Sequence, residues 1–399
     1  MTNEQNERNA RINELSEQRA IVEQKVAELD EQIKKLVELA ESAESAESAD
    51  PNSELDDPVA FHYKLRAHVD ELFKNEDGSL WLRKSTLRNP PRFVPIEDRP
   101  TDAHGRSTRI LSFINFKGGV GKTTIVMNLC GVFGGGFYKT PDGAYGNPLR
   151  VLIVDLDFQG TLSQRVADRS HLANSTLKDA DSSALLAVPN RNASLNALTQ
   201  PVIELPYARI ITSSEVLDRK DSEFYLKLQL KLYESRFYFR NWFHADDCFK
   251  NYDLVLFDCP PRVTASTVNA LAVSDFVFIP TIPEPFDIRP VIRTQTWLAQ
   301  IRSTLKLDFR FGGVILNRTK SQNELASSEK DAASEFKQAK LKLEPGDNPS
   351  VLKTHIPKRN GQTDSFQGEA GKAIPSATLN PKLSSMNDLA SEIYARIYQ

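Results

Sequence analysis

The spacing of apolar positions changes twice along the chain, and each change predicts a different kind of structure. In residues 1–40 the apolar side chains alternate three and four residues apart, which is the 3.5-residue period of a coiled-coil seam. The seam positions are Ile12, Leu15, Arg19, Val22, Val26, Leu29, Ile33, Leu36 and Ala40. We therefore predict a heptad helix over residues 1–40, which either pairs with another helix or lies on the body of its own chain.

Two segments separate this helix from the rest of the chain. Residues 41–56 hold the repeat ESAESAESAD and then Pro51, and with almost nothing to bury they are predicted to be an acidic linker. Residues 57–108 begin with an apolar helical face and end in a proline-rich stretch, so they predict a small helical module and an extended arm. The module is either a packing or dimerisation element, or a helix-turn-helix that contacts DNA phosphates through Arg83, Lys84, Arg88 and Arg92.

From Arg109 onwards, short apolar runs alternate with helical patterns. The runs are RILSFINF, RVLIVDLD, ARIITSS, DLVLFDCP, DFVFIPT and FGGVILNR. Near-continuous apolar strands are typical of a parallel sheet that is covered on both faces. Residues 109–399 are therefore predicted to form an α/β domain with a doubly wound, mostly parallel sheet and helices on both faces.

The first of these runs leads into a glycine-rich loop with the sequence KGGVGKTT. Glycines let backbone N–H groups close around phosphate oxygens, and the helix that follows points its positive end at the anion. Lys122 can reach the β- and γ-phosphates and the Thr123 hydroxyl can ligate Mg²⁺, although Phe116 takes the first glycine position of a strict P-loop. The predicted nucleotide-binding residues are Gly118, Gly119, Val120, Gly121, Lys122, Thr123 and Thr124.

The loop and later segments resemble the ParA/MinD family of deviant Walker A P-loop ATPases, most closely its ParA partition branch. Lys117 precedes the paired glycines, as the signature lysine of that family does. RVLIVDLDFQGTLSQ resembles the D-x-D-P-Q-G motif, with Phe158 in place of the proline, and the segment YDLVLFDCPPRV resembles the third motif. VILNR and THIPKRNGQTDSFQGEAGKAI are similar to further segments, so the resemblance covers the predicted α/β domain.

The resemblance implies a nucleotide site with ATP and Mg²⁺ as cofactors. Lys117 would cross a dimer interface to the nucleotide of the other subunit, Lys122 would neutralise the transferring phosphate, and Asp157 would orient the attacking water. The implied catalytic residues are thus Lys117, Lys122 and Asp157, the implied metal ligands are Thr123, Asp155 and Asp258, and Asn317 would read the adenine edge.

Composition and charge limit the classes of function. Of 399 residues 40% are apolar and 26% charged, which is typical of a globular protein and excludes a wholly disordered chain. No leader or membrane-spanning run is recognised, and three scattered cysteines favour a reducing compartment, so we expect a cytoplasmic protein without a membrane partner. Residues 1–58 hold 16 acidic and 6 basic residues, whereas the remainder carries a net charge of +7, which favours a polyanionic partner for the body.

The first functional hypothesis is a ParA-like ATPase that dimerises with ATP and hydrolyses it slowly with Mg²⁺. It would bind DNA without sequence preference in plasmid or chromosome partition, would be nucleoid-associated, and would have an activating, ParB-like partner. The candidate phosphate contacts are Arg318, Lys320, Lys353, Lys358 and Arg359. The alternatives are an ATPase module of a signalling or anti-phage defence complex, a MinD-like membrane-positioned ATPase, and a tyrosine-type kinase with Tyr394 and Tyr398 as substrates.

The sequence also predicts the structural role of two further segments and leaves that of a third open. The end of the chain predicts a helix whose apolar face packs on the sheet rather than on a membrane, because its only basic residue is Arg396. An aromatic cluster at residues 237–243 is more typical of a core or an interface than of a base-stacking surface. The insert 134–148 is longer than a helix-to-strand connection needs, and a lid, a partner site and a flexible loop all stay open.

Overall fold

The computed structural model describes residues 93–167, 181–186, 194–203, 205–221, 235–321, 324–336, 347–348, 350–358 and 384–398. The predicted heptad helix, the acidic linker and the helical module up to residue 92 lie outside the described residues, as does Arg359. The fold is therefore that of the predicted α/β domain and of the arm that precedes it.

A mostly parallel sheet forms the centre of this domain. Its strands are β1 (Arg109–Phe113), β2 (Val151–Asp155), β3 (Gln200–Val202), β4 (Leu205–Ile211), β5 (Leu254–Asp258), β6 (Phe276–Thr281), β7 (Arg310–Thr319) and β8 (Ile356–Pro357). They lie in the order β3-β4-β2-β5-β1-β6-β7-β8, and every neighbouring pair is parallel except β3 and β4. All six predicted apolar runs are strands, whereas the sequence pattern did not predict the short β3 and β8.

Helices lie on both faces of the sheet, which confirms the doubly wound prediction. They are α1 (Lys122–Gly135), α2 (Thr161–Val166), α3 (Arg240–Phe243), α4 (Asp246–Asn251), α5 (Ala265–Val273), α6 (Pro285–Leu305), α7 (Ser327–Phe336) and α8 (Ser384–Ile397). Residues 215–221 are also helical, and short 3₁₀ turns occur at Ile96–Asp98, Ser182–Leu186, Leu195–Leu198 and Ser235–Phe237.

Each face of the sheet has its own apolar core, because successive strand residues point to opposite sides. In β1, Ile110 belongs to the core beneath α5, α6 and α7, whereas Leu111 belongs to the core beneath α1, α2 and α8. The predicted packing of the last helix on the sheet is confirmed by four buried side chains of α8, namely Leu389, Ile393, Tyr394 and Ile397. The aromatic cluster also lies in a core, with Phe237, Phe239, Trp242 and Phe243 buried.

The arm at residues 93–108 packs on the domain through one buried ion pair. The two terminal nitrogens of Arg99 each donate to a carboxylate oxygen of Asp275 at 2.7 Å, and both side chains are almost fully buried. Asp275 also accepts a hydrogen bond from the backbone N–H of Ile110 in β1. The arm is thus joined to the sheet at the amino end of β1, opposite the P-loop.

The insert 134–148 completes α1 and then turns back towards β2. Its residues Lys139 and Tyr145 form an antiparallel bridge, and the ring of Tyr138 lies 4.6 Å from that of Tyr394 on α8. Because α1 runs from the P-loop to the insert, the insert lies at the far end of the sheet from the P-loop. It does not cover the P-loop, and it packs α1 against α8.

Candidate functional site

The glycine-rich loop lies between β1 and α1, as predicted, and its backbone requires glycine at two positions. Gly119 and Gly121 have φ angles of 73° and 91°, which side-chain-bearing residues rarely adopt. A Cβ on Gly121 would meet Nδ2 of Asn317 at 2.2 Å, whereas one on Gly118 or Gly119 would meet nothing within 4 Å. The loop therefore packs tightly against β7 on one side and leaves open space, in which an anion can lie, on the other.

Lys122 lies beneath this loop as the first residue of α1. Its ammonium group donates to the backbone oxygens of Asn115 at 3.0 Å and Lys117 at 3.3 Å, and the residue is only 7% exposed. Burial lowers the pKa of Lys122, and the negative charge of Asp258 partly offsets that effect. A buried cation beside a row of backbone N–H groups is the arrangement that a polyphosphate requires.

Two predicted metal ligands end neighbouring strands and lie side by side. Asp155 of β2 is in register with Asp258 of β5, and both are buried. Asp155 accepts hydrogen bonds from the backbone N–H and hydroxyl of Ser163 at 2.9 and 2.7 Å, so its oxygens are already engaged. Neither carboxylate oxygen of Asp258 has a partner among the described residues at the distance and angle of a regular hydrogen bond.

The pKa values of this pair follow from their burial. Burial raises the pKa of both carboxyls, and the negative charge of Asp155 raises that of Asp258 further. The nearby Thr123 hydroxyl and Lys122 ammonium offset only part of the rise at Asp258. A carboxylate that is buried and short of partners is stabilised by a bound cation, so Asp258 is the better placed of the two to face Mg²⁺.

Asp157 lies in the turn between β2 and α2. Its backbone N–H donates to Asp155 at 3.1 Å, and its own carboxylate accepts from the backbone N–H of Gln159 at 3.1 Å. The turn closes at Gly160, whose φ is 61°, with a hydrogen bond from its N–H to the Asp157 carbonyl oxygen. The Asp157 side chain is partly exposed beside the P-loop, where a water molecule can reach it.

Lys117 forms an ion pair within its own chain that the sequence did not predict. Its ammonium group contacts the carboxylate of Asp287 in the first turn of α6. The Asp287 side chain is 1% exposed, whereas that of Lys117 is 36% exposed. Phe286, also in the first turn of α6, is 86% exposed.

Two asparagines fix the loop from either side. Asn115 accepts from the backbone N–H of Lys117 at 2.9 Å and donates to Pro280 of β6 at 2.9 Å. Asn317 donates to the Val120 carbonyl oxygen at 2.9 Å and accepts from the backbone N–H of Arg318. Asn317 thus lies against the P-loop, and its side-chain hydrogen bonds go to backbone. Sequence reasoning missed Asn115, although its position between strand and loop is a signal for such a role.

The residues of this site fit ATP and Mg²⁺. The loop provides a positively polarised cradle, Lys122 provides a buried cation, and Asp258 provides a buried carboxylate beside the Thr123 hydroxyl. Among the described residues, no group of three or more His, Cys, Asp or Glu side chains is placed to hold a metal ion. Mg²⁺ commonly uses one or two carboxylates together with water and substrate phosphates, so a larger group of protein ligands is not required.

A model of a protein family, described as an AAA domain, matches residues 108–311, which is more than half of the chain. The chain belongs to the ParA/MinD-type P-loop ATPases. Relatives with 29% identity include the chromosome-partitioning ATPase Soj of Treponema pallidum, matched over 55% of this chain and 74% of the relative. The chromosome partitioning protein ParA of Caulobacter vibrioides is also 29% identical, over 57% of this chain and 76% of the relative.

Two uncharacterized Mycobacterium tuberculosis proteins are likewise 29% identical, and the chain spans 63% of their length. Among solved structures, the ATP complex of a Cyanothece McdA variant matches with a TM-score of 0.51 at 17% identity, over 72% of this chain and 97% of that one. A putative plasmid partition protein of Borrelia burgdorferi bound to AMPPNP matches with a TM-score of 0.52 at 17% identity, over 73% and 98%. These likenesses establish that the fold is shared.

The candidate DNA contacts lie on one edge of the sheet. Arg318 lies near the end of β7 and Lys320 follows that strand. Lys358 follows β8, and its backbone N–H donates to the Thr319 carbonyl oxygen at 2.7 Å. Lys353 precedes β8, and all four side chains are exposed. No helix in the described ranges is long and apolar enough to cross a bilayer.

Proposed function

We propose that the chain is an ATP-dependent dimerising switch that hydrolyses ATP slowly with Mg²⁺ and binds DNA without sequence preference in plasmid or chromosome partition. The observation that carries the proposal is the combination of the glycine-rich phosphate loop with Lys117, a partly exposed lysine at the mouth of the site. The names of the Treponema and Caulobacter relatives support a role in partition.

Hydrolysis would use residues that the fold brings to the carboxyl ends of β1, β2 and β5. Lys122 would leave the carbonyl oxygens of Asn115 and Lys117 and donate to the terminal phosphates. Asp157 would hold the attacking water in line, because its carboxylate is fixed by the Gln159 N–H and is still accessible. Mg²⁺ would neutralise charge on the phosphates, held by the Thr123 hydroxyl and by Asp258 directly or through water.

Dimerisation would use Lys117 and the exposed end of α6. ATP adds a negative charge that a closed dimer interface buries, and a lysine from the other subunit compensates it. In the monomer Lys117 pairs instead with Asp287, so that pair must open before Lys117 crosses. The γ-phosphate would therefore decide which partner Lys117 takes, and hydrolysis would reverse the choice.

DNA binding would use the basic edge at Arg318, Lys320, Lys353 and Lys358. A single subunit offers few phosphate contacts there, and a dimer brings two such edges to one duplex. Affinity should therefore depend on ATP and fall with salt by a log–log slope of about −0.9 for each phosphate neutralised. An activating, ParB-like partner would then set the rate at which the DNA-bound dimer is lost.

The test is a salt series of the full chain on two unrelated duplexes, with Mg²⁺ and either ATP or ADP. We expect binding with ATP, equal affinity for both sequences, and a shallower salt slope after Lys353 and Lys358 are changed to alanine, because phosphate contacts carry no base information. Lys250→Ala is the matched control, since Lys250 is an exposed lysine of α4 at the other end of the sheet. Hydrolysis of ATP with no DNA binding at low salt would contradict partition and favour a protein-partnered signalling or defence complex.

A further inference from the structure

The turn that holds Asp157 differs from the family motif at one residue, and that residue contacts an arginine from another segment. Phe158 occupies the position of the motif proline, so the covalent restraint that a proline ring puts on the backbone is absent. The guanidinium carbon of Arg262 lies 4.7 Å from the centre of the Phe158 ring, a distance at which cation–π attraction operates.

Arg262 is itself held in place from a third element. It forms an ion pair with Asp218, which lies in the helical segment 215–221. The same segment binds the start of α5 through Asp221, whose carboxylate accepts from the backbone N–H and hydroxyl of Ser266 at 2.6 Å each. The chain after β5 is therefore attached to this segment at two points, Arg262 with Asp218 and Ser266 with Asp221.

A cavity of about 640 Å³ adjoins the Asp157 turn and is lined in part by Phe158, Gly160, Ser163, Ser213 and Asp218. The Phe158 side chain borders that cavity, so the Arg262 stack restrains it from the side of β5. The turn is also held by its internal hydrogen bonds to Asp157, and the Ser163 hydroxyl at its end both donates to Asp155 and accepts from the Ser213 N–H.

We infer that Arg262 is a positioning residue for the Asp157 turn and that its stack on Phe158 takes over the restraint of the missing proline. This inference rests on the proposed hydrolysis, because it assigns Arg262 the task of keeping Asp157 in the orientation that directs water. Arg262 also connects the turn that carries Asp157 with the loop that follows Asp258 at the end of β5.

The experiment is a set of variants of the full chain, assayed for steady-state ATP hydrolysis with Mg²⁺: Arg262→Ala, Phe158→Ala, the two combined, Phe158→Pro, and Phe158→Pro with Arg262→Ala. A partly exposed cation–π contact is worth a factor of about three to five, so each alanine variant should lower kcat by about that much. The KM for ATP should stay within about twofold, because the phosphate cradle is untouched. Arg219→Ala, an exposed arginine beside Asp218, is the control and should match the wild type.

The combined alanine variant should be no slower than either single one, because both remove the same contact. Phe158→Pro should hydrolyse ATP at the wild-type rate, and Arg262→Ala should have no effect in that background, because the proline ring restrains the turn by itself. A merely structural role of Arg262 would lower the melting temperature in both backgrounds and would not be rescued by proline.

The outcomes separate this inference from the proposed function. If the wild type hydrolyses ATP and Arg262→Ala hydrolyses it at the same rate, the positioning role alone is overturned. A loss of kcat in Arg262→Ala that Phe158→Pro does not rescue would overturn it as well. A wild-type chain that binds ATP with Mg²⁺ and does not hydrolyse it would overturn the proposed function and the positioning role together.

Discussion

Replacing Asp287 by asparagine should strengthen the ATP-dependent dimer, because it releases Lys117 from its ion pair. The exchange keeps the size of the side chain, which is 1% exposed, and removes the charge that holds the lysine in its own subunit. The effect reports directly on the competition between Asp287 and the nucleotide of the partner subunit.

The magnitude follows from the exposure of the two groups. Breaking a surface ion pair costs about 0–1 kcal/mol, whereas leaving a buried charge unpaired costs about 3–5 kcal/mol. Because Lys117 is 36% exposed, we use the value for a surface ion pair, about 1 kcal/mol per subunit. A dimer opens two such pairs, and about 2 kcal/mol corresponds to a dimer dissociation constant about 30-fold lower in the variant.

The assay is sedimentation equilibrium with ATP and Mg²⁺, with Asp157→Ala in all proteins to slow hydrolysis. Asp308→Asn is the matched control, because Asp308 forms an ion pair with Arg240 of α3 away from the P-loop. In a Lys117→Met background Asp287→Asn should have no effect. An unchanged or weaker dimer after Asp287→Asn alone would refute the competition.

Three further predictions concern single side chains. Lys122→Ala should weaken ATP binding at least about tenfold, because it removes a charged donor to the phosphates, and a fluorescent ATP analogue measures this; unchanged affinity would place the phosphate site elsewhere. Asp157→Ala should bind ATP normally and hydrolyse it about a hundredfold more slowly in a phosphate-release assay, whereas an unchanged rate would move the water-orienting role to another residue. Burial raises the pKa of Asp221 to about 6, so its ionisation destabilises the fold as the pH rises from about 4 to 6. The melting temperature of the wild type should therefore fall relative to Asp221→Asn across that range, and parallel curves would contradict the raised pKa.

The sheet and the P-loop are predictable from the sequence because each depends on a contiguous run of residues. A strand buried on both faces needs apolar residues at nearly every position, and a phosphate loop needs its glycines and lysine in one segment. The strand ends at Asp155 and Asp258 followed from the same runs, and their register in neighbouring strands brings them together.

The parts that escaped prediction depend on contacts between distant segments. Nothing near Lys117 indicates that Asp287 of α6 will bind it, and nothing near Phe158 indicates that Arg262 will stack on its ring. Strand β8 has only two residues, too few for a periodic pattern. The packing of the arm likewise depends on long-range contacts, among them the ion pair of Arg99 with Asp275 and the hydrogen bond from the Val94 N–H to His244.

The role of Asn317 illustrates how structure refines a family role. As a strand-end residue it was expected to read the adenine edge, and its side chain contacts the backbone of Val120 and Arg318. The same side chain lies where a Cβ on Gly121 would be, so the P-loop glycine and this asparagine require each other. Adenine recognition by Asn317 stays a prediction, and bracing of the loop is an additional role.

The most direct test of the central claim is the mass, by light scattering after size exclusion, of the Asp157→Ala chain without residues 1–50, with Mg²⁺ and either ATP or ADP. The account predicts a mass with ATP that is twice the mass with ADP. It also predicts that Lys117→Met abolishes the difference while ATP remains bound. Equal masses with ATP and ADP, in a protein shown to bind both, would contradict an ATP-dependent dimerising switch.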